Sequence, residues 1–511
     1  MAFFGNLIKR GLTVGEKLQN RRRAEPIRLQ RRTLRRLLKR AQSTAFGQYY
    51  DFKELLGEKQ HCISAFQEKV PVFDYDAMYR QWWHMTLREV EDVSWPGQIK
   101  YFALSSGTSG APSKHIPISD EMRKAMKHAG LRMFFALSNF DVHTDLYTKP
   151  MLMLGGSSDL ETQGHYYQGD LSGINASQPP FWLRPYYKPG DKIARIKSWE
   201  EKIAEISKHA PAWDIGFLVG IPSWLQLMME RIIEDHELDT IHDIWPNLEV
   251  CVHGGIAFEP LKKSFERLLA RPLVYMDSYL ASEGFIAYQQ RPETNAMRLL
   301  LHNGIFFEFV PFNEDNFDED GQINPNPTAL TIDQVEENVD YALLITTCAG
   351  AWRYLIGDTV RFPDKRIPEI IITGRTKHFL SICGEHLSVD NMNQGIQQVE
   401  EALDLSIREF TVGPVQRGNR YIHHWYLGCE REAGAEQVRA ILDRQLQIVN
   451  ADYKTERENM LNIEVEILPI DTFYEWQAMK GKLGGQNKFP RVMKGKRFAE
   501  WDAFVHRSAR H

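Results

Sequence analysis

Short apolar runs alternate with segments of helical periodicity through the first half of the chain. The apolar runs cover residues 150–154, 215–219, 248–252 and 273–276, and the helical segments fall near 196–209, 222–235 and 259–269. Continuous apolar runs of this length are typical of strands buried on both faces, with helices as the crossovers between parallel neighbours. The pattern therefore predicts α/β units built on a parallel sheet.

The pattern changes after residue 300. Strands separated by polar turns, such as 304–311 and 341–347, fill the stretch up to residue 373. Beyond it the pattern predicts a smaller α+β region, with helices near 391–402 and 434–450 and strands near 408–413, 421–428 and 462–468. We therefore expect one domain in residues 1–373 and a second in residues 374–511.

Positive charge is concentrated at the N-terminus. Residues 1–40 hold 13 Lys and Arg against two Glu, whereas the whole chain has a net charge of −5. A basic helix of this kind can bind nucleic acid or an anionic membrane. The apolar positions Ile27, Leu34, Leu37, Leu38 and Ala41 nevertheless form a stripe at helical spacing. We therefore expect a docked structural helix and no nucleic-acid partner.

Composition narrows the class of protein. Hydrophobic residues make up 43% and charged residues 25% of the 511 positions, which is typical of a globular protein and excludes a disordered or fibrous one. No apolar run approaches the roughly 20 residues that cross a bilayer, and the apolar start is too short for a secretory signal. Five scattered cysteines without a Cys-x-x-Cys pair exclude a disulfide framework, so we expect a cytoplasmic protein.

A loop rich in Ser and Gly gives the strongest chemical signal. Small residues let the backbone approach a polyphosphate, and exposed N–H groups and hydroxyls donate hydrogen bonds to the anion. The Gly-Lys-Ser/Thr ending of a P-loop is absent, and such a loop taken alone is as often a linker. The candidate phosphate ligands are Ser105, Ser106, Gly107, Thr108, Ser109, Gly110 and Lys114.

Two later segments offer groups that suit the rest of a nucleotide. Gly254 and Gly255 end a predicted strand, where a flat ring can pack on bare backbone. Tyr279 follows another strand and offers an aromatic face for a base. Ser282 supplies a hydroxyl for a phosphate, and Glu283 supplies a carboxylate suited to Mg²⁺.

The last segment places Asp358 beside Gly357, where a carboxylate at a glycine turn can accept two ribose hydroxyls. Each of these residues, taken alone, also suits an ordinary turn, core or surface position. Their order along the chain, rather than any single motif, carries the prediction of a nucleotide site.

In this order the motifs resemble those of the adenylate-forming superfamily and, within it, the auxin-responsive acyl-acid amido synthetase family (Gretchen Hagen type). The residues that carry the resemblance are 105–109, Tyr279 with Ser282, Glu283 and Gly284, the strand 306–311, Tyr354 with Gly357 and Asp358, and the segments 450–453 and 484–491. They extend over nearly the whole chain.

The resemblance implies an α/β fold with a large N-terminal domain of two α/β subdomains plus a distorted β-barrel. A smaller, mobile α+β C-terminal domain would act as a lid. It also implies the chemistry of an ATP-dependent ligase. A carboxylic acid attacks the α-phosphate of ATP in the presence of Mg²⁺, which releases pyrophosphate and leaves an acyl-adenylate. An amine, usually an amino acid, then displaces AMP to form an amide.

The resemblance assigns a role to each matching residue. Residues 105–110 would hold the phosphates, Gly254, Gly255 and Tyr279 the adenine, Ser282 the α-phosphate, Glu283 the metal ion and Asp358 the ribose. Lys488, on a loop flanked by glycines, would be the catalytic cation, because carboxylate and triphosphate repel each other as they meet. Arg375 would lie at the hinge between the domains, within reach of nucleotide oxygens.

One departure and two alternatives stay open. Many plant members carry an acidic residue followed by Lys where this chain has Glu385 and His386, so the role of His386 is open. The first alternative is an acyl-CoA ligase, which would use the same adenylation step. The second alternative is a nucleotide-binding scaffold without catalytic activity. The sequence names neither the acid, nor the amine, nor the oligomeric state. Candidate residues of an acyl pocket lie in 155–159, in 166–167 and near Trp224.

Overall fold

The computed structural model describes the chain outside fourteen short stretches. These stretches are residues 1–8, 17–24, 106–113, 177–183, 256–257, 319–320, 377–386, 418–419, 432, 451–452, 455–456, 458–460, 481–488 and 509–511. The predicted Lys488, His386 and phosphate ligands 106–110 therefore lie outside the described residues.

The α-helices of the described residues are α1 (9–16), α2 (Pro26–Ala41), α3 (Ala45–Tyr49), α4 (Phe52–Gly57), α5 (Cys62–Lys69), α6 (Tyr75–Met78), α7 (His84–Leu87), α8 (Asp120–Ala136), α9 (Leu171–Ala176), α10 (Asp191–Ala194), α11 (Trp199–His209), α12 (Pro222–Asp235), α13 (Glu259–Glu266), α14 (Val389–Leu403), α15 (Ala435–Val449), α16 (Ile470–Met479) and α17 (Gly495–Ser508). A π-helical turn, Tyr79–Trp83, joins α6 to α7.

The strands are β1 (Tyr101–Ser105), β2 (Lys114–Ile118), β3 (Met151–Leu154), β4 (Glu161–Gln163), β5 (Tyr166–Gly169), β6 (Tyr187–Lys188), β7 (Phe217–Gly220), β8 (Val250–Gly254), β9 (Val274–Ala281), β10 (Gly284–Gln289), β11 (Met297–Leu299), β12 (Ile305–Pro311), β13 (Asp340–Thr347), β14 (Tyr354–Arg361), β15 (Glu369–Arg375), β16 (Ile407–Arg417), β17 (Arg420–Cys429) and β18 (Leu461–Pro469).

The chain forms two compact units. The first consists of Met1–Gly255, Ala270–Asn316 and Asn324–Ile371, and the second of Ile256–Leu269, Phe317–Ile323 and Ile372–His511. The nucleotide-binding role expected for residues 1–373 and the lid role expected for 374–511 stay predictions.

An eleven-stranded sheet organises the first unit, and its parallel part confirms the predicted α/β units. The strands β6, β3, β7, β8 and β9 are consecutive neighbours, and each pair is parallel. The four apolar runs of the sequence form β3, β7, β8 and β9. Leu154, Gly220, His253 and Asp277 lie side by side in register, so these strands bring their carboxyl ends to one region of the sheet.

The antiparallel strands correct the expectation of a distorted β-barrel. The strand order continues from β9 through β10, β11, β15, β14 and β13 to β12. The three-residue β11 pairs with β10 on one side and with β15 on the other. It therefore connects β12 to β15 with the rest of the same sheet. Within the described residues the sheet is therefore open, and no closed barrel forms. A separate four-stranded sheet has the order β2-β1-β5-β4.

The basic helix α2 has one face buried in the first unit. Leu34, Leu37 and Leu38 are almost inaccessible to solvent. The Gln30 side chain donates to the carbonyl oxygens of Leu301 and Ile305, at 2.7 and 3.1 Å, and accepts from the backbone N–H of Phe307 at 2.7 Å. These hydrogen bonds fix α2 against the start of β12.

The second unit has the predicted α+β composition. Its sheet has the order β16-β17-β18, with an antiparallel and a parallel pair. The predicted helices near 391–402 and 434–450 are α14 and α15, and their buried residues share one core with β16 and β17. A second cluster, which includes Phe473, Trp476, Phe489 and Trp501, joins α16 and α17 to Tyr426 of β17. No helix among the described residues combines the length and the apolar character that a bilayer crossing requires.

Candidate nucleotide site

Gly254 ends β8 at a point where no side chain fits. It pairs in register with Ser278 of β9, and a Cβ built on Gly254 would lie 2.2 Å from the Ser278 carbonyl oxygen. The Ser278 hydroxyl donates to the carbonyl oxygen of His253 at 2.8 Å, which ties the two strand ends together. The close approach of the two strand ends therefore requires glycine at position 254.

Tyr279 lies beside this glycine and contacts Asp358 directly. The Tyr279 hydroxyl donates to Asp358 Oδ2 at 2.5 Å, although the residues are 79 positions apart. Tyr279 is buried and Asp358 half-buried. The structure thus brings Tyr279 and Asp358 into contact, next to the strand end at Gly254. An aromatic ring and a carboxylate are groups that suit a base and a ribose.

The local structure around both residues differs from the sequence-based description. Tyr279 lies inside the eight-residue β9 rather than after a strand, and Asp358 lies inside β14 rather than at a glycine turn. The pairing of β13 with β14 is irregular between Ala342 and Leu344, and Gly357 has a φ of +88°. A bulge of this kind redirects a side chain, and it accounts for the position of Asp358 opposite Tyr279.

Ser282 and Glu283 form the two-residue turn between β9 and β10, since Ala281 pairs with Gly284. Both are half-buried. Among the described residues there is no group of three or more His, Cys, Asp or Glu side chains that could hold a metal ion. A single carboxylate nevertheless fits Mg²⁺ bound with ATP, because that ion keeps several waters and takes its other ligands from phosphate oxygens.

The predicted phosphate loop joins two adjacent antiparallel strands, with Ser105 of β1 opposite Lys114 of β2. Lys114 Nζ lies 5.0 Å from the centre of the Tyr75 ring, and the Tyr75 hydroxyl accepts from the backbone N–H of His115 at 2.9 Å. Tyr75 thus positions the end of the loop through a cation–π contact and a hydrogen bond. Arg375, the last residue of β15, is exposed and belongs to the second unit.

Three buried residues of the first unit have structural roles that the sequence analysis did not assign. His253 is buried, and burial lowers its pKa to about 4. Its Nδ1 lies 3.6 Å from Asp277 Oδ1, and that oxygen accepts from the backbone N–H of Ser278 at 2.8 Å. The neutral imidazole therefore lies beside the Asp277 carboxylate, on the strand pair that ends at Gly254. The sequence feature that could have identified this residue is a histidine directly before a glycine pair at the end of an apolar strand.

Glu308, part of the family resemblance, has a structural role. Its carboxylate accepts from Arg353 Nε at 3.1 and 3.2 Å and from Gln67 Nε2 at 3.0 Å. The Arg353 guanidinium also donates to the carbonyl oxygens of Gln67 and Val70, both at 2.7 Å. Both charged side chains are buried, so this network anchors β14, with its bulge and Asp358, to β12 and to α5.

A buried lysine of α11 contacts the segment 155–159, which follows β3 and was proposed for the acyl pocket. Lys202 is 4% exposed, and its Nζ donates to the Gly155 carbonyl oxygen at 3.1 Å. The neighbouring Gly156 N–H donates to the Ser172 hydroxyl at 2.9 Å. Burial lowers the pKa of Lys202. Sequence reasoning missed Lys202 because it occupies an ordinary position on an amphipathic helix.

Comparison with known proteins gives a consistent picture. Models of the GH3 family match at residues 17–166 for its N-terminal domain, 298–375 for its central domain and 390–497 for its C-terminal domain. An indole-3-acetic acid-amido synthetase of Arabidopsis thaliana, GH3.4, is 22% identical over 92% of this chain and 89% of its own length.

Two solved structures have a similar fold. The GH3.15 acyl acid amido synthetase superposes with a TM-score of 0.75 at 16% identity, over 96% of this chain and 95% of its own. A 2-hydroxyisobutyryl-CoA ligase in complex with its acyl-adenylate superposes with a TM-score of 0.60 at 12% identity, over 94% of this chain and 92% of its own. At these identities the likeness concerns the fold.

Proposed function

Because this chain belongs to the GH3 family, we propose that it is an ATP-dependent acyl-acid amido synthetase, a ligase that forms an amide bond through an acyl-adenylate. Two relatives of this chain are named as an indole-3-acetic acid-amido synthetase and a jasmonoyl–L-amino acid synthetase. The observation that carries the proposal is the contact of Tyr279 with Asp358 beside Gly254. It supplies a base platform and a ribose acceptor in one place.

The binding step follows from the chemistry of these groups. Adenine packs on Tyr279 and on the backbone of Gly254 and Gly255, and Asp358 accepts the ribose hydroxyls. Residues 105–110 and Lys114 hold the phosphates, and Ser282 contacts the α-phosphate. Glu283 would hold Mg²⁺, which supplies charge neutralisation at the phosphates when it is bound.

The reaction brings a carboxylate to a polyphosphate, so like charges must be compensated while the bond forms. We assign this task to Lys488, whose ammonium would act on the oxygens of the reacting acid and the α-phosphate. Residues 374–511 act as the lid, with Arg375 at the hinge. Closure excludes the water that would otherwise hydrolyse the acyl-adenylate.

Pyrophosphate release tests the proposal. Wild type is incubated with ATP, Mg²⁺ and pooled carboxylic acids, with and without pooled amino acids, and active pools are then deconvoluted. We expect acid-dependent release that rises with amino acids and amide products detected by mass spectrometry. Lys488→Ala should lose this release. Lys496→Ala is the matched control, because that side chain is 92% exposed and should leave the rate unchanged.

Two outcomes contradict the proposal. Release accelerated by CoA, with a thioester product and no amide, identifies an acyl-CoA ligase, whose fold this chain shares. ATP binding without release from any pool identifies a nucleotide-binding scaffold. Identical rates for wild type and Lys488→Ala contradict the role of Lys488 alone.

Two further assignments complete the proposal. The basic helix α2 is a structural element rather than a nucleic-acid site, which is supported by its buried Leu34, Leu37 and Leu38. Salt-dependent binding of DNA or RNA by the full chain would contradict this. A cytoplasmic location is supported by free, buried cysteines at positions 62, 251, 348 and 429, and fractionation of cells tests it.

A further inference from the structure

Every exposed residue of α2 carries a positive charge. The helix holds seven Lys and Arg residues and no Asp or Glu. Two of them, Arg31 and Arg35, are half-buried, and Arg35 Nη2 donates to the Leu56 carbonyl oxygen of α4 at 3.1 Å. The exposed residues, which we call the basic face of α2, are Arg28, Arg32, Arg36, Lys39 and Arg40.

The basic face is continuous and lies opposite the buried side of the helix. With 3.6 residues per turn, its five positions fall within a sector of about 120° around the helix axis and extend over about 18 Å along it. The other side of the helix carries the buried residues Gln30, Thr33, Leu34, Leu37, Leu38 and Ala41. The helix is therefore held by its apolar side and presents a strip of one charge to solvent.

The charge of the basic face is only partly balanced. Glu25 Oε2 lies 2.9 Å from Arg28 Nε, and Glu121 Oε1 lies 3.0 Å from Arg40 Nη2. Both pairs are on the surface, where an ion pair contributes little and is readily exchanged for another anion. The cations of the basic face that form no ion pair with a described residue are Arg32, Arg36 and Lys39.

The composition of the basic face indicates what kind of partner it suits. The core of a protein–protein interface is rich in aromatic and apolar side chains and depleted in Lys, whereas this face has no apolar side chain. Sites for single-stranded nucleic acid combine cations with aromatic side chains on which bases stack, and the basic face has no aromatic residue. Anionic phospholipid headgroups, in contrast, are recognised by clustered Lys and Arg through charge alone.

We propose that the basic face of α2 binds the surface of a bilayer that contains anionic phospholipids. Guanidinium groups donate to the phosphate and carboxylate oxygens of the headgroups. The apolar side of α2 is buried in the first unit, so the contact is electrostatic and peripheral, without insertion of α2 into the hydrocarbon. Each Lys or Arg near an anionic surface raises the affinity about fivefold.

The test measures binding of the full chain to vesicles by sedimentation. One set of vesicles contains equal parts of phosphatidylserine and phosphatidylcholine, and the other contains phosphatidylcholine alone. We expect saturable binding to the mixed vesicles only. Salt should abolish it, because the Debye length falls from about 10 Å near 0.1 M to about 3 Å near 1 M ionic strength.

Variants locate the contact on α2. The triple variant Arg32→Gln, Arg36→Gln and Lys39→Gln removes the unpaired cations and should weaken binding about 100-fold. The triple variant Arg32→Lys, Arg36→Lys and Lys39→Arg keeps the charges and should bind as wild type does. The matched control, Lys192→Gln, Arg195→Gln and Lys197→Gln, removes three exposed cations outside α2 and should also bind as wild type does. Thermal melts establish that each variant is folded, and Arg32→Gln alone, with a loss of about fivefold, replaces a triple variant that is not.

The proposal is overturned if wild type does not bind the mixed vesicles at low salt, or if the basic-face and control glutamine variants lose affinity equally. A duplex DNA or single-stranded RNA that displaces the vesicles, and whose own binding is lost in the basic-face variant, identifies a nucleic-acid site and also overturns it. No step of the test involves turnover, so its outcome is independent of the proposed synthetase activity.

Discussion

The buried ion pair of Glu308 and Arg353 allows a quantitative test of what holds the candidate ribose-binding strand in place. The two side chains are 1% and 6% exposed, so neither charge can be hydrated if its partner is removed. We consider two single variants, Arg353→Met and Glu308→Gln. Removing one partner of a buried pair costs about 3–5 kcal/mol in the free energy of unfolding.

The remaining hydrogen bonds predict which of the two variants loses more free energy of unfolding. In Arg353→Met the Glu308 carboxylate keeps a single side-chain donor, Gln67 Nε2 at 3.0 Å. In Glu308→Gln the guanidinium keeps two carbonyl acceptors, at Gln67 and Val70, both at 2.7 Å, and it can also reach the new amide oxygen. We therefore expect Arg353→Met to cost about 5 kcal/mol and Glu308→Gln about 3 kcal/mol or less.

Urea denaturation of the full chain measures both values, with tryptophan fluorescence and circular dichroism as probes of a protein that has two units. Glu25→Gln is the control, because it breaks an ion pair with Arg28 whose side chains are 65% and 66% exposed, and it should leave the transition unchanged. A larger loss in Glu308→Gln than in Arg353→Met, or a loss below about 1 kcal/mol in both, would refute the reasoning.

Three further predictions concern the site and the second unit. Gly254→Ala places a Cβ 2.2 Å from the Ser278 carbonyl oxygen, so the free energy of unfolding should fall by about 1–3 kcal/mol, measured in urea, with weaker ATP binding. Tyr279→Phe removes the hydroxyl that positions Asp358, and calorimetry should show ATP binding weakened about tenfold; an unchanged affinity would mean that Asp358 needs no such support. Burial raises the pKa of Glu400 from 4.5 to about 8, so the folded state holds a proton that the unfolded chain releases. Stability should therefore fall as pH rises from about 4.5 to about 8, and Glu400→Gln should flatten this dependence in urea titrations at several pH values.

Much of the fold was predictable because its elements are local. Apolar runs of four or five residues predicted β3, β7, β8 and β9, and helical periodicity predicted α11, α12, α14 and α15. Such patterns act over a few residues, since burial of one face is imposed by the repeat of the backbone itself. The basic composition of α2 and its apolar stripe are likewise visible without a structure.

Sequence order also indicated the members of the candidate site, but not their geometry. Gly254, Tyr279 and Asp358 were each selected by residue type, yet Tyr279 was expected after a strand and Asp358 at a turn. Both lie within strands, and the bulge in β14 with Gly357 at φ +88° decides where the carboxylate points. A bulge depends on the register of β13 against β14, which no single segment specifies.

The chain by itself determined which segments form helices and strands, which residue types could serve a nucleotide, and which family it belongs to. Only the tertiary structure decided that Tyr279 donates to Asp358 across 79 residues and that Glu308 is neutralised by Arg353. The physical reason is that such pairings depend on the closure of long loops and on desolvation after packing, whereas periodicity and turn chemistry are properties of neighbouring residues.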